Sequence, residues 1–168
     1  PGLDVVRADQ LELCSPEWLL IGILERDTFA MLFGDPSNGK TFLALDWACR
    51  IATGTPWRNH PVEPAPVLYI AGEGRNGLVR RIKAWQLHNG ASIEGAPLFI
   101  APALAISDAN QLETILQGVE AKAPQPALVV VDTLARCFGE GDENSTKDMN
   151  RFVSACDTIR NRWRCGVL

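Results

Sequence analysis

The run Gly34-Asp35-Pro36-Ser37-Asn38-Gly39-Lys40-Thr41 constrains this chain more than any other stretch. It fits G-x-x-x-x-G-K-[ST], a loop that wraps backbone N–H groups around phosphate. Its flanks suit the motif. The apolar residues 29–33 read as a buried strand entering the loop, and residues 42–51 leave it with helical spacing. Gly34 and Gly39 permit backbone angles that a side chain would forbid. The loop can therefore curl its N–H groups into an anion nest, with the positive end of a helix dipole beginning near Lys40. Lys40 is expected to reach the β- and γ-phosphates as a point charge, and the Thr41 hydroxyl to take one coordination place on Mg²⁺. Pro36 stiffens the loop. The nucleotide-binding stretch is expected to run from Gly34 through Asp35, Pro36, Ser37, Asn38, Gly39, Lys40 and Thr41 to Phe42.

The rest of the pattern says what kind of fold carries this loop. Apolar strands are expected over residues 28–33, 67–71, 98–100 and 127–131, with another opening at Cys165. Helical faces fall between them, at Leu78, Val79, Ile82 and Trp85, at Leu112, Ile115, Leu116 and Val119, and at Met149, Phe152, Val153, Cys156, Ile159 and Trp163. Asp108 and Gln111 have the spacing of a capping box. Alternating continuous strands with helices predicts an α/β fold with a largely parallel sheet covered on both faces. Residues 1–27 read as a lead-in segment, in which Ser15-Pro16-Glu17 suits a short helical turn. Residues 28–168 read as the core.

In such sheets ligands sit beyond the carboxyl ends of the strands. The phosphate loop, Glu73 and Asp132 are all expected there. Asp132 ends the strand Leu128-Val129-Val130-Val131 as a Walker-B carboxylate would, opposite Thr41, to hold Mg²⁺. The next residue is Thr133 rather than the Glu that many ATPases use to polarise water. Glu73, between Gly72 and Gly74, is the candidate for that base.

Composition bounds the partners. A net charge of −4 gives no global basic field for nucleic acid. Five cysteines without a C-x-x-C pair, an odd number, suggest reduced thiols and a cytoplasmic protein. His60 and His88 are isolated, which argues against zinc. No segment is long and apolar enough to cross a membrane. The run Arg80-Arg81-x-Lys83 reads as a solvated helix face. Arg160, Arg162 and Arg164 are expected to snorkel around a core Trp163, with single-stranded DNA contact as the sharper alternative. The acidic loop 138–147 reads as a connector.

Residues 34–41, Glu73 and Asp132-Thr133 together resemble the RecA-like ATPases. Within them, the chain is similar to the hexameric plasmid replicative helicases of the RepA type and to related phage and prophage AAA-family ATPases. The stretches Tyr69-Ile70-Ala71-Gly72-Glu73-Gly74-Arg75, Arg80-Arg81-Ile82-x-Ala84-Trp85, Asp132-Thr133-Leu134-Ala135-Arg136 and Gly141-Asp142-Glu143-Asn144-Ser145 carry this likeness. The resemblance implies a RecA-like core that binds ATP and Mg²⁺. Lys40 and Glu73 would be catalytic, and Thr41 and Asp132 would hold the metal. It also implies a homo-oligomeric ring and single-stranded DNA as a partner of the intact protein. The alternatives are an ATP-dependent switch or loader without unwinding activity, or a module that only binds nucleotide. The ends, Pro1 without Met and Cys165-Gly166-Val167-Leu168, lead to the expectation of a C-terminally truncated fragment. The family's γ-phosphate sensor and arginine finger would then lie downstream.

Overall fold

In the computed structural model, residues 5–12, 14–72, 74–142 and 144–168 are described. A 3-10 turn at Ala8–Gln10 leads to a small antiparallel hairpin, β1 (Trp18–Leu20) and β2 (Leu24–Glu25). No helical turn forms at Ser15-Pro16-Glu17. The segment instead runs into the hairpin, where Leu19, Leu20 and Leu24 are buried and Arg26 N donates to Glu17 O at 2.8 Å. Burial of three leucines outweighs a weak local helix-start signal.

The core alternates as expected. Helix α1 (Lys40–Thr53) is followed by β3 (Val67–Ala71), α2 (Arg75–Asn89), β4 (Leu98–Pro102), α3 (Ala109–Glu120), β5 (Leu128–Asp132), a short α4 (Leu134–Cys137), α5 (Thr146–Trp163) and β6 (Gly166–Val167). The strands form a four-stranded parallel sheet in the order β4-β3-β5-β6. Helices α1 and α2 end at Gly54 and Gly90, both left-handed with φ of 72° and 60°. Those carbonyl-capping turns require the positive φ that glycine adopts freely. At α3 only half of the expected capping box forms. Asp108 Oδ1 accepts from Gln111 N at 2.9 Å, but Gln111 Oε1 accepts from Ala105 N.

Strand parity divides the core in two. Val67, Tyr69, Leu128 and Val130 face α1 and α2, while Leu68, Ile70 and Val129 face α3 and α5. Side chains alternate across a strand, so Asp132 shares the α1 face with Leu128 and Val130.

The expected strand over residues 28–33 is the main departure. Only Phe29 makes a bridge, parallel to Val167 of β6, flanked by Ala30 N to Val167 O and Val167 N to Thr28 O, both at 2.8 Å. Met31 and Phe33 are exposed rather than buried. A strand needs a partner ladder, and the pairing with β6 reaches no further along this segment than Ala30.

Candidate nucleotide site

Register brings the phosphate loop to Asp132. Phe29 is level with Val167, which is level with Val129. Beyond that bridge the chain turns into the loop, and Gly34, Lys40 and Asp132 line one cavity while Thr41 contacts the Asp132 carboxylate. On the other side Ala71 pairs directly with Asp132, and Gly72 N donates to Asp132 O at 2.6 Å. The loop has the backbone its glycines predict, with φ of 147° at Gly34 and 80° at Gly39. Ser37 is left-handed too, at φ 68°, in a conformation costly for a residue with a side chain. Gly39 is the N-cap of α1, and Leu43 N donates to its carbonyl at 2.9 Å.

Each side chain has a definite place. Lys40 Nζ donates to Gly34 O at 2.5 Å and to Asp35 O at 2.9 Å, closing the loop from within. Thr41, on the first turn of α1, donates through Oγ1 to Asp132 Oδ1 at 3.0 Å. Asp35, Pro36, Ser37 and Asn38 are exposed along the loop, and Phe42 is 62 % exposed. Gly34, Pro36, Lys40, Asp132 and Thr133 line one cavity of about 670 Å³, with residues 29–33, Leu134, Phe152 and Leu168 supplying an apolar wall. The Asp132–Thr133 peptide is cis. Glu73 and Glu143 lie outside the described residues, as does the side chain of Arg75.

Asp132 is the one charged side chain of the buried class among the described residues. No Lys, Arg or His pairs with it among them. Its carboxylate is held instead by two hydroxyls. Besides Thr41, Tyr69 Oη donates to Oδ2 at 2.6 Å. Tyr69 is fully buried on β3, and it is the only tyrosine of the chain. Sequence reading passed over it as one apolar strand residue. The usable signal was parity: a buried phenol must find an acceptor, and Tyr69 shares a sheet face with Asp132.

This donor set fits a hard divalent cation. Mg²⁺ takes oxygen ligands, uses one or two protein groups and completes its shell with phosphates and water. A hydroxyl and a buried carboxylate without a cation are such a pair, and no cluster of three or more His, Cys, Asp or Glu forms a protein cage among the described residues.

Two arginine expectations change. Arg81 is not simply solvated: its guanidinium lies 5.1 Å from the centre of the Phe42 ring, joining α2 to the first turn of α1. Arg162 pairs with Glu120 at 2.8 Å, and Arg160 lies 3.3 Å from Asp157. These contacts engage two of the three cations weighed for DNA, and Trp163 is buried as expected. Arg136 packs against the end of β3: a Cβ on Gly72 would meet Arg136 Cβ at 2.5 Å.

A phosphate loop at the carboxyl edge of a parallel sheet, facing a strand-end Asp, defines a P-loop nucleotide-binding ATPase domain with a RecA-like α/β core. The chain belongs to the AAA domain family, whose model matches residues 2–168. No curated protein matches it. No helix among the described residues is long and apolar enough to cross a membrane.

Proposed function

We propose that this domain hydrolyses ATP with Mg²⁺ as the motor core of a DNA helicase or a related replication or recombination ATPase. The observation that carries the catalytic part is the contact of Thr41 Oγ1 with the buried carboxylate of Asp132 at 3.0 Å, which pairs with no cation among the described residues. ATP phosphates would occupy the loop. Lys40 would leave the Gly34 and Asp35 carbonyls for phosphate oxygens, a gain in charge-assisted hydrogen bonding. Thr41 and Asp132 would hold Mg²⁺, which neutralises charge between the β- and γ-phosphates. Glu73 would orient water for in-line attack. The DNA-directed part rests on the likeness to RepA-type helicases, as do a ring of copies and single-stranded DNA as partner; a cytoplasmic setting rests on the five cysteines without a C-x-x-C pair.

The test is phosphate release with and without Mg²⁺ and single-stranded DNA, in wild type, Lys40→Ala and Glu73→Gln. Mg²⁺-dependent release lost in both variants and stimulated by DNA is the expected result. Tight ATP binding by Lys40→Ala would remove the site assignment, and full turnover by Glu73→Gln the base. Turnover indifferent to DNA, or absence of strand displacement, would point to a switch or loader.

A further inference from the structure

We propose that Tyr69 is a positioning residue for the metal end of the site, acting through Asp132; this rests on the Mg²⁺–nucleotide reading above. A carboxylate turns about its last side-chain bond with a broad, roughly two-fold preference. Here the rotation is fixed at both oxygens, by Thr41 on Oδ1 at 3.0 Å and by Tyr69 on Oδ2 at 2.6 Å. The two donors are unequal in kind. Thr41 sits on the phosphate-loop helix and is itself a candidate ligand. Tyr69 comes from the centre of the sheet, fully buried between paired strands. Its ring cannot follow the loop, so it anchors the carboxylate to the rigid part of the molecule.

The consequence passes to Thr41. With Oδ2 taken by the phenol, Oδ1 is presented to the Thr41 hydroxyl and accepts its hydrogen bond. The lone pairs of Oγ1 are thereby turned away from Asp132 and left for a cation. The phenol also neutralises no charge, so the carboxylate keeps its full negative charge. An Arg or Lys at the same place would fix Asp132 equally well but would cancel the charge that draws the metal. Tyr69 thus supplies orientation without competing for the ion.

Tyr69→Phe removes one hydroxyl and keeps the ring. Binding of the non-hydrolysable analogue AMP-PNP is followed by calorimetry, in EDTA and across a Mg²⁺ titration. The expected result is a half-saturating Mg²⁺ concentration raised about tenfold, as for loss of one hydrogen bond to a charged group, with affinity in EDTA within about twofold of wild type. In an Asp132→Asn background Tyr69→Phe should no longer raise the half-saturating Mg²⁺ concentration about tenfold. Equal losses with and without Mg²⁺ would mark a packing role and overturn the inference, as would an unchanged Mg²⁺ response. Wild type that shows no Mg²⁺-dependent binding would overturn the underlying reading as well, which separates the two failures. If Tyr69→Phe does not fold, the lone tyrosine offers another measurement. Biosynthetic fluorotyrosine labels Tyr69 alone, and its ¹⁹F resonance should move when Mg²⁺ joins bound AMP-PNP in wild type but not in Asp132→Asn. A resonance indifferent to Mg²⁺ would overturn the inference.

Discussion

Two aspartates on the same side of the sheet are each held by two donors, and they are held for opposite purposes. Asp46, on α1, accepts from Arg50 Nε at 2.8 Å and from Trp85 Nε1 at 2.7 Å, both on Oδ1. Arg50 continues to Asn89 Oδ1 at 2.8 Å and to the carbonyl of Pro56. The carboxylate's charge is matched by a resident cation, and the result is a brace between α1 and α2. Asp132 accepts only from neutral hydroxyls, and its charge has no resident partner among the described residues. A buried carboxylate costs free energy unless something compensates it. The brace compensates within the fold; the site leaves that role to a ligand. Hydrogen-bond satisfaction alone does not separate structural from functional acids, whereas the source of the counter-charge does.

The largest expected effect tests the functional side. Asp132→Asn should lower Mg²⁺-dependent ATP turnover by about a hundredfold or more, equivalent to roughly 2.7 kcal/mol of activation free energy. Its urea midpoint should stay near that of wild type. Full turnover in steady-state assays would erase the contrast with Asp46. The mirror image is Asp46→Ala, which should cost about 2 kcal/mol of stability by urea unfolding, because it leaves Arg50 Nε and the Trp85 indole N–H without their acceptor. Nucleotide affinity of the folded fraction should be unchanged. Trp85→Phe removes one donor from the brace and keeps an aromatic ring, so about 1 kcal/mol is expected in the same experiment.

Each aspartate also has a buried thiol that feels it. Burial first, and then Asp46, pushes the Cys49 thiol up to about 12; burial and then Asp132 push Cys137 up to about 11. Both thiols ionise near 9 when exposed by unfolding. The unfolded state therefore loses protons first. Stability from these groups is complete below pH 9 and declines as pH climbs to about 11–12. Urea midpoints measured from pH 7 to 10.5 should be flat up to about pH 9 and then fall, and less steeply in Cys49→Ala or Cys137→Ala. A flat alkaline limb in wild type would remove this contribution. The smallest effect belongs to Arg162→Ala, which breaks an exposed pair with Glu120. Its melting temperature should be indistinguishable from that of wild type, as is usual for surface ion pairs.

The sequence exposed the parts that depend on local pattern. The phosphate loop, the helix behind it and the alternation that places Asp132 at a strand end follow from glycines, periodicity and capping residues. What it hid depends on neighbours. Residues 28–33 have strand composition, but a ladder needs a partner, and β6 reaches only Thr28 to Ala30. Tyr69 and Trp85 have apolar-looking positions, and each turns out to aim its polar atom at an acid more than thirty-five residues away in the chain. Arg81 looked solvated because periodicity gives a face and not what a neighbouring helix sets against it.

The contact between Gly72 and Arg136 acts as a spacer gauge. A methyl group on Gly72 would collide with Arg136 Cβ at 2.5 Å and press on Asp132 O at 3.0 Å. The end of β3, the end of β5 and the start of α4 are consequently set at one clearance that admits a hydrogen atom and nothing larger. The chain leaves Gly72 from a point tied to Asp132 by the 2.6 Å hydrogen bond from Gly72 N to Asp132 O. Gly72→Ala should widen that gauge and shift the two strand ends apart, so that groups carried beyond them lose their common reference while the sheet itself persists.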